Sequence, residues 1–280
     1  MPRDVSMNIE YIQKLFLAVQ NYMQHNHDLE NVISFLDSEP PEFRSIAYES
    51  ASMELGIDDL SKGTQLNKWS KFYFHAGEMH SFHLDIGLGW AYGKREILPD
   101  SNYEFMHPVM RWMVFDGMGY FNSLYRGRRT VKNHIVPEGI KGHDLQGFDE
   151  GIGRRLWYIA KGEVKIVTEL IQPFPISRHP DLWRGVGIAC GYVGGSKQAD
   201  LELLSKASGE CKPQLSAGIA LAAISRNASN SETDDIKTAC HVLCDMSFEE
   251  IKGYKNKIID KGHPEDIYDH WIIQLESEFA

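Results

Sequence analysis

One pattern recurs along this 280-residue chain: two small residues flanking one apolar residue, set in a stretch of helical apolar spacing. It occurs as Ser50/Ser52, Gly87/Gly89, Gly117/Gly119, Gly151/Gly153, Gly185/Gly187 and Gly218/Ala220. The first members of these pairs lie 37, 30, 34, 34 and 33 positions apart, a period close to the length of one helix–turn–helix unit. Other positions keep phase with them. Three residues before each pair stand Ala47, Leu84, Val114, Phe148, Leu182 and Leu215. Between its two members stand Ala51, Leu88, Met118, Ile152, Val186 and Ile219. All twelve are apolar, and a spacing of four places both positions on one helix face.

The glycines do not read as a phosphate loop. Such loops follow a strand, and no strand pattern precedes any of the six stretches. A glycine inside a helix costs about 1 kcal/mol relative to alanine, so something must offset it. Two explanations stand: close approach of neighbouring helices, where a side chain would collide, or a groove floor left open for a ligand. Pro41, Pro108, Pro180 and Pro213 precede units, as suits the first turn of a helix. Residues 163–171 and 199–207 show helical spacing between the units, and Gly194-Gly195 marks a stop. The segments beginning Asp234, Ser247 and Pro264 also read as helical. Arg129–Pro137 (RTVKNHIVP) is the one candidate extended piece. The expected fold is all-α, a solenoid-like stack of helix pairs with a repeat of about 34 residues. It forms one domain over 1–280: N-terminal helices to 40, the array over 41–228, and C-terminal helices over 229–280.

The chain is 42% hydrophobic, enough for a sizeable core, and carries a net charge of −10. Nucleic acid is therefore not an expected partner, since phosphate binding needs a clustered basic face. The densest basic stretch, Arg126 to Lys132, reads as a solvated connection. Cys190, Cys211, Cys240 and Cys244 form no CxxC pair and read as reduced residues of a cytoplasmic protein. Ile9, Ile12, Leu15, Phe16 and Val19 make a helix stripe where a signal peptide would need an unbroken run. No stretch holds eighteen consecutive apolar residues, so no membrane span is expected.

Five stretches in order — AYESASMELGI, HLDIGLGWAYG, VMRWMVFDGMGYF, GFDEGIGRRLWYI and HPDLWRGVGIACGYVGG — resemble the landmarks of an uncharacterised family encoded with enediyne biosynthesis genes in bacteria. The resemblance covers about Phe43 to Arg226. That family usually has glycine where Ser50 stands and a second histidine where Asp85 stands. The resemblance implies a bacterial protein of specialised metabolism, acting on or near a polyene made by a polyketide synthase.

Charged residues sit beside the small pairs. Glu49, Asp116, Asp149 and Glu150 precede theirs, Asp85 stands one position further out, and Arg184 takes the place in the next unit. In a stacked array these positions align as a ladder of acids ended by an arginine. Either they are interhelical ion pairs, or they form a polar seam in a groove. On the second reading Glu49, Asp116, Asp149 and Glu150 are the candidate acids and bases. Arg154 and Arg184 would hold an anionic group, and Trp90, Tyr120, Trp157 and Trp183 would form an apolar trough. The stretch HAGEMHSFHLD holds His75, Glu78, His80, His83 and Asp85. Within it His83 and Asp85 are the candidate metal ligands, and a divalent metal is the cofactor they would hold. Two functions remain open: a protein that binds or tailors a hydrophobic small molecule, or a non-catalytic helical scaffold for a pathway protein. An enclosed aromatic pocket with converging acids favours the first.

Overall fold

The computed structural model describes residues 4–63, 65–99, 106, 109–254 and 267–280. Among these the chain is all-helical, with no strand. The helices are α1 (Val5–His25), α2 (Leu29–Asp37), α3 (Pro41–Lys62), α4 (Asn67–Arg95), α5 (Met113–Tyr125), α6 (His143–Ala160), α7 (Val164–Ile171), α8 (His179–Val193), α9 (Gln198–Ser208), α10 (Lys212–Ala228), α11 (Asp234–Cys244), α12 (Phe248–Lys252) and α13 (Ile267–Ser277). Pro41, Pro180 and Pro213 stand in the first turns of α3, α8 and α10. Pro108 and the helical pattern over 255–266 lie outside the described residues. Asp4, Asp28 and Thr233 cap α1, α2 and α11 by accepting from backbone N–H groups.

The six small-x-small stretches fall in α3, α4, α5, α6, α8 and α10, and these helices pack side by side in chain order. Their seam follows one rule. The first glycine of each helix lies against a carbonyl of the helix before: Gly117 against Ile86, Gly151 against Asp116, Gly185 against Glu150 and Gly218 against Arg184. The second lies against a carbonyl of the helix after: Gly89 against Val114, Gly119 against Phe148, Gly153 against Leu182 and Gly187 against Leu215. A Cβ at any of these positions would overlap backbone, which cannot swing away as a side chain can. Close approach therefore accounts for these glycines. Where serine replaces glycine, the Ser52 hydroxyl donates to the Leu84 carbonyl at 2.6 Å and keeps the same partner position.

Neighbours in this row run parallel, because contacts advance together along both helices: Gly117 at Ile86, Met118 at Gly89, Phe121 at Gly93. Each parallel pair needs a return segment. α7 and α9 supply two of them. The first half of α4 supplies another, since α4 is bent. The Ser52 hydroxyl meets both the Trp69 indole N–H and the Leu84 carbonyl at 2.6 Å. In a straight helix those residues stand about 22 Å apart. Tyr48 likewise stacks on Phe72 and on His80, so the bend falls between them, around Gly77.

Residues 129–137, expected to be extended, are not a strand. Arg128–Lys132 forms a π-helical turn, and the Asn133 and Ile135 amides bond to the Arg128 and Arg129 carbonyls. These backbone groups are satisfied locally, with no partner strand to recruit them. The cysteines form no disulfide, and three of the four are buried. No described helix is long and apolar enough to cross a membrane.

The row also curves. α10 packs against α4 as well as α8. From α10, Arg226 donates to the Gly191 and Tyr192 carbonyls at the end of α8 and to the Glu42 carbonyl at the start of α3. α1 lies across the inside of the curve. Asn8 donates to the Val193 carbonyl at 2.8 Å, and Ser50 donates to the Phe16 carbonyl at 2.9 Å.

Candidate functional site

A cavity of about 270 Å³ lies between α1 and the inner faces of α3, α4, α5, α6 and α8. The row contributes residues at helical spacing on one face: Ile46 and Glu49 from α3, His83 and Trp90 from α4, Tyr120 and Leu124 from α5, Arg154 and Tyr158 from α6. Ala189 and Tyr192 come from α8, and Ile12, Phe16 and Leu17 from α1. The glycine seam and the cavity thus use different faces of the same helices. Glu49, His83, Arg154 and Tyr192 are buried and form the floor. Leu17 and Tyr125 are exposed at the mouth.

The floor is an ion-pair chain. Arg154 Nη1 bonds Asp116 Oδ1, and its Nη2 stands 3.7 Å from Glu49 Oε1. The other Glu49 oxygen faces His83 Nε2 at 3.9 Å. His83 Nδ1 and Asp116 Oδ2 are buried with no hydrogen-bond partner among the described residues. Burial pushes the Glu49 carboxyl up to about 7, with Arg154 pulling the other way. Burial likewise raises Asp116 to about 6 against the pull of Arg154. Burial and the neighbouring Arg154 charge hold His83 well below the ordinary histidine value, so its imidazole is neutral. Burial alone would lower Arg154, but the Asp116 and Glu49 carboxylates outweigh it and keep the guanidinium charged. Near neutral pH the floor therefore combines a fixed cation, a carboxyl poised to exchange its proton, and a neutral imidazole beside it.

The walls are aromatic. Phe16 stacks on Trp90 at 4.8 Å, Trp90 meets Tyr120 at 4.9 Å, and Tyr120 meets Tyr158 edge-on at 5.6 Å. Arg154 lies over the Tyr120 ring at 5.2 Å, and the His83 ring meets Tyr192 edge-on at 4.4 Å.

The structure thus gathers Glu49, His83, Trp90, Asp116, Tyr120 and Arg154 from the sequence candidates. It places the others elsewhere. Asp149 is gripped by Arg178, which also donates to the His134 carbonyl at 3.1 Å. Glu150 receives Arg184 Nε at 2.5 Å, and Arg184 also binds Asp181 and Glu276, tying α13 to α8. Trp157 and Trp183 are buried but do not line the cavity. Asp85 is fully buried, with neither oxygen hydrogen-bonded among the described residues, and burial raises its carboxyl well above the ordinary range. His83 and Asp85 stand two positions apart on α4, about 200° around the helix, and only His83 lines the cavity. The pair therefore does not converge on one ion. No group of three or more acid, histidine or cysteine side chains among the described residues could hold a metal. His80 serves packing: it meets the Ser45 hydroxyl at 3.0 Å and stacks on Tyr48 at 4.1 Å.

Tyr158 and Tyr192, aromatic residues of the same units, and Arg155, which follows Arg154, also line the cavity; they stand four or seven positions after a first small residue, in phase with Trp90 and Tyr120. Sequence reasoning did not find the α1 residues. For α1 the apolar stripe gave a helix but no hint of what it covers.

The chain matches, over residues 2–279, a family described as a protein of unknown function (DUF1702). It belongs to this family. Comparisons of this DUF1702 member with curated proteins and with solved structures find no significant match.

Proposed function

We propose that the protein binds an elongated hydrophobic metabolite in the aromatic cavity and moves a proton on it. One observation carries this reading: Glu49, raised to about 7, faces the neutral His83 imidazole across 3.9 Å on a buried floor. A carboxyl titrating near neutrality can both give and take a proton, which suits isomerisation, dehydration or cyclisation of an apolar chain. Glu49 would hold the exchanging proton. Arg154, held by Asp116, would fix its position and stabilise negative charge that develops beside it. The neutral His83 imidazole would orient the Glu49 carboxyl.

The enclosed floor favours this reading over a scaffold that presents an open concave face to a pathway protein. We also read the six glycine-bearing helices as a solenoid-like stack of units of about 34 residues, with the ligand on its inner side. The resemblance of their motifs to enediyne-associated proteins supports a polyene or polyketide intermediate as ligand.

The test is native mass spectrometry of protein purified from its producing host, beside denatured spectra. A small apolar molecule released on denaturation, and absent when Leu124→Trp fills the cavity, is the expected result. A ligand retained by Leu124→Trp would place binding elsewhere. With the ligand identified, Glu49→Gln should still bind it but lose turnover by about a hundredfold or more.

A further inference from the structure

The geometry points to Arg155 as the receptor for the anionic end of an elongated apolar carboxylic acid, an inference that rests on the cavity being a small-molecule site. Two adjacent arginines of α6 line this cavity, and they are placed differently. Arg154 is buried on the floor, with Asp116 and Glu49 meeting its charge. Arg155 is half-buried nearer the mouth, and no described acid lies within ion-pair distance of it. Its Nε is buried without a hydrogen-bond partner, and its charge pulls against the burial that raises the Tyr120 phenol.

A guanidinium that lines the cavity beside aromatic rings, with its Nε buried and unmatched, gains a partner when an anion enters. Its Nε and one Nη form a planar edge that matches both oxygens of a carboxylate. From there the walls are apolar: Phe16, Trp90, Tyr120 and Leu124, with exposed Leu17 and Tyr125 continuing that surface outward. A ligand with its carboxylate on Arg155 lays its chain along these rings and brings its inner part to Glu49 and His83. A monoanion suits the site better than a phosphate dianion, since Glu49 and Asp116 already place negative charge on the floor and the chain carries −10 overall.

Isothermal titration of the full chain with decanoate, decanol and decyl phosphate separates the possibilities. Decanoate should bind about tenfold more tightly than decanol. Arg155→Met should erase that difference, and Arg155→Lys should restore only part of it. Leu124→Trp should abolish binding of all three. Equal binding of decanoate and decanol to the native chain would overturn the role of Arg155 and leave the cavity reading standing. Tighter binding of decyl phosphate would overturn the carboxylate assignment. Absence of binding by all three would overturn the cavity reading, and this inference with it.

Discussion

Glu49 is the residue on which the chemistry turns, and its titration is measurable without a substrate. Burial raises it from 4.5 to about 7. Between those values the folded chain holds a proton that the unfolded chain releases, so stability falls as pH rises through this window and levels off above it. Glu49→Gln never ionises. Its urea midpoint should vary less steeply between about pH 5 and about pH 8, with the remaining slope reporting Asp116 and Asp149, each raised to about 6, and Asp85, raised well above its ordinary range. At the alkaline end the glutamine variant should be more stable than the native chain, by a few kcal/mol at most, since one unit corresponds to about 1.4 kcal/mol. An unchanged slope would remove Glu49 from the titrating group. Arg184 contrasts with it. Arg184→Met leaves Glu150 buried without its cation and releases Glu276 of α13. It should cost about 3–5 kcal/mol in urea unfolding and leave ligand affinity intact. Sequence alone could not separate these two residues. Both stand immediately before a small residue, and only burial and partner geometry show that one faces a cavity while the other closes an ion-pair cluster.

For the helices, the seam gives an equally sharp contrast. Gly151→Ala would drive a methyl group into the Asp116 carbonyl, with backbone on both sides and no side chain to yield. Destabilisation of about 3 kcal/mol or more is expected. Gly127 has open space around its Cβ position and φ −55. Gly127→Ala should be neutral or stabilising by up to about 1 kcal/mol, through the unfolded chain. Thermal or urea melts of the two variants check both. The spacing of small residues made these six helices legible, because a seam that admits no Cβ writes itself into the sequence. The bend of α4 was less so. Its two halves both show helical patterning, and only their shared contacts with Ser52 and Tyr48 reveal the return. Residues 129–137 were misread because the β-branched residues there suggested a strand that no neighbouring segment was placed to pair.

Across the whole molecule, two contacts tie distant parts of the row together. Arg226 joins the ends of α3, α8 and α10, and α1 bridges α3 to α8. Units that touch only their neighbours can unfold in steps, whereas this one is cross-tied. Tryptophan fluorescence and far-ultraviolet circular dichroism should therefore report one coincident urea transition. Arg226→Met should lower the midpoint and separate the two curves. Single-domain organisation was an expectation drawn from continuous phase. The cross-ties were invisible in the sequence, since a lone arginine at the end of α10 carries no mark of the carbonyls it will meet.

The interlocked seam assigns motion within the cavity wall to one element. A glycine-bearing helix cannot slide or rotate by a single residue without bringing a side chain against a neighbour's carbonyl, so five of the six walls behave as a fixed-pitch ratchet. α1 has no such teeth: it is held by side-chain contacts, among them the Asn8 and Ser50 hydrogen bonds and the Phe16–Trp90 stack. Adjustment to ligands of different girth falls to this helix. Its amides should exchange with deuterium faster than those of α5 or α6, and slow when the cavity is filled.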